Sequence, residues 1–243
     1  MLTFFSGFGL GTLLLPAFLI FFPAPIAILL TAIVHLLNNL FKGTLVFRNA
    51  SLGLVLRFGI PSIVGAFMGA RLLAWLGQSD ILYSYSMWDS VFEVTWLNVS
   101  LGGLMLAFTC LEWIPRLKDK QLSDRWLIPG GILSGFFGGL SGHQGALRSL
   151  FLVKTGISKE VFIGTGVMIA VMVDITRLSS YLSVETFAQV QSHAGLILCG
   201  VLAAFAGSWF GNAQLKKITL EFVRHTVATL MLIISVLMFM GIL

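Results

Sequence analysis

Long apolar runs joined by short polar connections set the pattern of the chain, and a run of ~20 residues is long enough to cross a bilayer as a helix. Residues 26–47 form one run, closed by Arg48 and Asn49. Residues 53–76 form the next, with Gly59, Gly65 and Gly69 spaced for close helix contact. Residues 91–113 give another. Residues 1–22 are apolar too, but Gly7, Gly9, Gly11 and Pro16 interrupt them, and Pro23 and Pro25 mark a turn before a helix restarts near Ile26. Two connections stand out. Residues 77–89 read as a polar and aromatic loop with Asp80 and Asp89 but no lysine or arginine, and residues 115–125 carry Arg116, Lys118, Lys120 and Arg125 beside Asp119 and Asp124.

The second half contains the least regular apolar stretch, SGFFGGLSGHQGALR at 134–148. Gly135, Gly138, Gly139, Gly142 and Gly145 each weaken a helix by roughly 1 kcal/mol relative to alanine. Ser141, His143, Gln144 and Arg148 would each be costly against lipid. Irregular backbone at membrane depth survives only where protein buries it or it lines a cavity. The stretch is therefore expected to be a broken helix at a solute site.

The pattern also repeats. SGFGLG at Ser6 is echoed by SGFFGG at Ser134, LTAIV at Leu30 by GTGVM at Gly164, and GAFMGARL at Gly65 by AAFAGSWF at Ala203, in the same order. An internal duplication follows, with a first transmembrane repeat at 1–114, a basic linker at 115–125 and a second repeat at 126–243.

Composition and charge then fix the setting. The chain is 57% hydrophobic and only 10% charged, with a mean hydropathy of +0.97, far from the ~25% charge of soluble domains. It reads as an integral membrane protein. The net charge of +5 lies mostly in short connections, so topology accounts for it before any nucleic-acid partner does. The chain opens without a charged n-region and cleavage site, so the first apolar segment is expected to be retained. Cys110 and Cys199 lie in apolar segments without metal-ligand spacing, and no cofactor is implied.

Suppose the linker is cytoplasmic. If residues 126–153 crossed fully, Lys154, Lys159, Lys216 and Lys217 would all lie outside, against the positive-inside rule. A segment that enters and leaves from one side restores every placement. Lys42 and Arg48 then become cytoplasmic, 77–89 external, and 1–22 an external hairpin, although Arg71 and Arg177 fall near outer ends and count against the scheme. The expected fold is an all-α polytopic membrane protein of two inverted repeats, each a glycine-broken re-entrant hairpin plus three transmembrane helices. An ordinary count of eight spans is the alternative.

The paired glycine-rich motifs, the GARL stretch at Gly69 and the duplication together resemble the sulfite exporter TauE/SafE family, over nearly the whole length. GFGLGTLLLP at Gly7 fits the family's first break with fewer glycines, while GFFGGLSGHQGALRSLF at Gly135 fits the second but lacks its proline. The resemblance implies a multi-pass inner-membrane carrier of sulfite, organosulfonates or related small anions.

A broken helix offers unpaired N–H groups and a positive dipole end to an anion. In the second half these would come from around Gly142, Gly145 and Ala146, and in the first from around Gly11 to Leu13. Thr12, Ser141 and Gln144 add hydrogen-bonding groups, and Arg148 or His143 adds charge. Thr31, His35, Asn38 and Lys42 recur at helical spacing along one face, with Asn39 beside it. Thr165 holds the repeat position of Thr31. Asp174 and His143 are candidates for carrying a coupled proton, although Arg177 stands three residues from Asp174 and suits an ordinary intrahelical pair. Each feature has a plainer reading: glycines for helix packing, a buried histidine, polar glue between helices.

The function expected is a secondary transporter, exporting a small anion by alternating access, with the lipid bilayer and the anion as partners and a homodimer as a compatible assembly. The alternative is a non-transporting membrane subunit or sensor that docks a partner. An intramembrane enzyme would need a nucleophile–base pair or metal set, and His35, His143, His193 and His225 show no ligand spacing such as HExxH.

Overall fold

Helices dominate, as they must where a chain has to satisfy its backbone in apolar surroundings. This computed structural model describes residues 10–87, 90–113, 124–152, 156–181, 195, 197–203, 205–206 and 220–243. Among them α1 runs over Leu10–Leu19, α2 over Ala24–Val46, α3 over Leu52–Leu76 and α4 over Trp96–Trp113. After the linker come α5 over Leu127–Ser141, α6 over Gln144–Leu152, α7 over Lys159–Tyr181 and α8 over Leu220–Phe239. Among the described residues three stretches are long and apolar enough to cross a membrane: Ala24–Asn49, Leu52–Leu76 and Lys159–Tyr181.

Local chemistry sets the ends. Pro23 caps α2 in an extended conformation and Pro25 sits in its first turn, where a missing N–H costs nothing. In α3 a π-helical turn at Val55–Gly59 precedes Pro61, which supplies no N–H to a regular ladder.

The tightest helix contact joins α3 to α5, and it is made by glycine. A Cβ added at Gly131, Gly135 or Gly139 would run into the backbone carbonyl of Phe58, Ser62 or Ala66, and one at Gly65 or Gly69 into that of Ile132 or Phe136. The two backbones touch along a four-residue ladder, as small residues permit. The opposite side of α3 shows Leu56, Ile60, Val64, Phe67 and Met68 outward. Large apolar groups facing out and small ones facing in is the arrangement that lipid favours. It also corrects an expectation, because Gly135, Gly138 and Gly139 lie inside a continuous α5 and only Gly142 breaks it.

Beyond the break α6 doubles back along α5. The Ser134 hydroxyl donates to the Gln144 carbonyl at 3.1 Å, and Gly130 faces the Phe151 ring. At 15 and 9 residues, each arm is shorter than the ~20 residues of a full span. Elsewhere α2 packs on α7 and α4 on α8, the latter pair joined by the Ser235 hydroxyl donating to the Gly102 carbonyl at 2.7 Å.

The expectation of helices alone needs amending at 77–95. Ile81–Met87 (β1) and Ser90–Thr95 (β2) form an antiparallel hairpin, so the helix expected from residue 91 starts at Trp96. The alternation of Tyr and Ser in β1, with β-branched and aromatic residues in β2, suits a pleated pair. Tyr85 stacks on Phe92 at 5.3 Å. The Tyr83 and Tyr85 hydroxyls donate to the Phe239 and Met240 carbonyls at 2.9 and 2.6 Å, serving orphan acceptors at the end of α8. Residues 114–123 of the linker, 183–192, Lys216 and Lys217 lie outside the described residues.

Candidate anion site at the helix break

Gly142 adopts φ +82°, a left-handed conformation that closes α5, and its N–H donates to the Gly138 carbonyl at 2.9 Å. A side chain there would be strained by the backbone, and its Cβ would also stand 2.7 Å from Arg177 Nη1. His143 follows, and α6 opens with Gln144, which is buried.

Asp174, on α7, is the centre of the polar group beside this break, and it is fully buried. His35 Nδ1–H donates to its Oδ2 at 2.6 Å, and Asn39 donates to the same oxygen at 3.2 Å. Gln144 donates to Oδ1 at 3.3 Å. Arg177, one turn along α7, brings Nη2 within 2.9 Å of Oδ1. A carboxylate can only accept, so His35, Asn39 and Gln144 each present a hydrogen, while Arg177 faces it as an ion pair. The arrangement draws α2, α6 and α7 to one point.

Arg148 extends the group. Its Nη1 donates to Gln144 Oε1 at 3.5 Å, and its Nε would lie 3.4 Å from a Cβ at Gly166 of α7, where glycine leaves it room. Lys42, one turn beyond Asn39 on α2, is buried and near enough for repulsion from Arg148. Counting His35 as neutral, the group gathers Lys42, Arg148 and Arg177 against Asp174, three cations to one carboxylate among the described residues. Water screens such an excess poorly at this depth.

Not every residue expected at the site joins it. His143 is buried, but it stacks on Phe108 of α4 at 5.4 Å and shares a 3.0 Å hydrogen bond with the Ser141 hydroxyl. Its Nε2 meets no acceptor or donor among the described residues. Thr31 donates to the Ala27 carbonyl of its own helix at 2.7 Å. Thr165 accepts from the Ser51 N–H at 2.9 Å, holding the start of α3. Asn38 is buried on α2 near His35. Gly145 lies buried in the first turn of α6. Gly11 and Thr12 fall in the first turn of α1, with the Thr12 side chain outside the described ones.

Sequence reasoning undervalued three members. Asn39 reads in the sequence only as a neighbour of the polar stripe, and Lys42, although on the stripe, reads as a cytoplasmic charge. Arg177 reads in the sequence both as an outer-end charge and as an intrahelical partner of Asp174; its side chain is fully buried and the pair forms. The signal was present, since Asp174, Arg177 and Tyr181 recur at i, i+3 and i+7 on one face of α7. Tyr181 donates its hydroxyl to the Gly139 carbonyl, tying that face to α5.

A helical bundle with long apolar helices and large apolar side chains facing outward defines the class of multi-pass membrane proteins. The family model for the sulfite exporter TauE/SafE matches residues 1–238, and the chain belongs to that family. Neither a curated protein nor a solved structure matches the chain.

Proposed function

We propose that the chain is a secondary carrier of a small anion, whether sulfite, an organosulfonate, or a related oxyanion or carboxylate, with export as its direction. The observation that carries this reading is the excess of cations beside the first turn of α6. An anion there would gain backbone N–H donors from Gly145 and Ala146, the positive end of the helix, and charge-assisted hydrogen bonds from Arg148 and Gln144. Lys42 adds attraction from α2. A polar group in which positive charges outnumber the carboxylate favours a negatively charged ligand over a neutral one.

The transport cycle in this reading is alternating access between two inverted repeats, with the α5–α6 pair as a re-entrant hairpin in a bacterial inner membrane. Support comes from the doubling back of α6, and from the packing of α2 on α7 and α4 on α8, helices that correspond under the duplication. The second motif departs from the family pattern at His143, Gln144 and Arg148, and of these Gln144 and Arg148 lie beside Asp174, where they would select the anion.

Counterflow of labelled anion into proteoliposomes tests the reading, across sulfite, methanesulfonate, acetate and sulfate. Saturable exchange of at least one of them is expected. Rates equal to protein-free liposomes for all four would end it.

A further inference from the structure

We propose that the His35–Asp174 pair carries one proton with each anion, taken up when the anion settles at Gln144 and Arg148 and given up when it leaves. The inference rests on the anion site proposed above and adds a coupled ion to it.

Asp174 is the buried carboxylate among the described residues, and one of its donors is shared. Gln144 gives its amide N–H to Asp174 while its carbonyl oxygen accepts from Arg148. An anion drawing on Gln144 and Arg148 therefore competes with Asp174 for the same donor. It also places a second negative charge beside the carboxylate. The proton offsets that repulsion: at a separation of roughly 6 Å and an effective dielectric of ~20, attraction between the anion and the added positive charge makes anion and proton reinforce each other's binding about 100-fold.

The balance is simple. With Nδ1–H donated to Asp174 Oδ2 at 2.6 Å, the proton enters on the lone pair of His35 Nε2 from water on one side, converting a carboxylate–imidazole pair into a carboxylate–imidazolium pair. It returns to water on the other side after the anion has gone, and no other bond changes. The groups facing the pair are Asn39 and Lys42 from α2, Gln144 and Arg148 from α6, and Arg177 and Tyr181 from α7. The surrounding charges are otherwise cationic, so the pair gains a proton most readily when an anion offsets them. Position favours the role as well, because His35 and Asp174 come from α2 and α7, one from each proposed repeat, and the bond spans the surface across which the halves would move. His143, the other histidine near the break, makes no bond to Asp174 and has no such partner among the described residues.

The test uses the full chain in proteoliposomes with a lumenal pH dye, driven by a gradient of labelled sulfite. Sulfite's own protonation contributes equally to every protein compared, so a difference between proteins isolates the proton on the chain. Asp174→Asn is expected to move one fewer proton per sulfite transported than wild type. Because that variant leaves Arg177 buried without its counter-charge and can fail to fold, His35→Gln is measured alongside, keeping the Asp174–Arg177 ion pair and also expected to lose one proton per sulfite. A wild-type proton-to-sulfite ratio in His35→Gln, or in a folded Asp174→Asn, overturns the inference and leaves the anion carrier standing. Absence of wild-type counterflow for sulfite and every other anion of the panel would instead remove the carrier reading itself.

Discussion

Arg148 and His143 stand five residues apart in one motif and face different surroundings, and their substitutions should diverge. Arg148→Lys keeps the charge but loses the planar fork that grips an oxyanion through two parallel donors. A ~10-fold fall in transport kcat/KM is expected, measured as counterflow at several concentrations; an unchanged value would place the anion elsewhere. For His143, Nε2 is buried with no partner among the described residues, so His143→Phe replaces an unmet polar atom by a ring that still stacks on Phe108. It should raise stability by ~1 kcal/mol in thermal unfolding in detergent, whereas a marked loss would mean that Nε2 has a partner. The contrast shows how far single residues were legible. Spacing alone put His35, Asn38 and Lys42 on one face of α2, because helical periodicity fixes which residues share a face. It could not tell which face the His143 ring takes at a break, where periodicity stops.

The meaning of a glycine is settled only at the scale of the element. In sequence, Gly135, Gly139 and Gly142 are three glycines in one weak helix; in the fold two are packing contacts and one is a turn at φ +82°. Composition cannot separate these roles, since a missing Cβ serves close approach and left-handed backbone equally. Substitution can. Gly135→Ala forces a Cβ against the Ser62 carbonyl and should cost about 1–3 kcal/mol as the helices separate. Gly53→Ala, with nothing within 4 Å of the new Cβ, should be neutral or stabilise α3 by up to ~1 kcal/mol. Melting of both variants in detergent checks the pair, and equal shifts would contradict the ladder. The β-hairpin was hidden for another reason: its alternating Tyr and Ser residues were read for polarity, when their period of two was the informative feature.

At the scale of the molecule, the duplication and the loop charges lead to the expectation of inverted repeats, because both are properties of the chain as a string. Which helices meet was not legible, and the α3–α5 ladder and the junction of α2, α6 and α7 at Asp174 depend on tertiary packing. The topology predicts that single cysteines at Lys118, Lys154 and Lys216 react with an impermeant maleimide from the cytoplasmic side and one at Phe187 from the other. Labelling of positions 118 and 154 from opposite sides would contradict the re-entrant hairpin. The claim beneath all of this is that an anion rests inside the bundle at the start of α6, held by Arg148. Equilibrium binding of labelled sulfite to the purified full chain tests it most directly: saturable binding of about one anion per chain is expected, weakened roughly 10- to 100-fold in Arg148→Ala, whereas non-saturable binding, or equal binding by the two proteins, would contradict it.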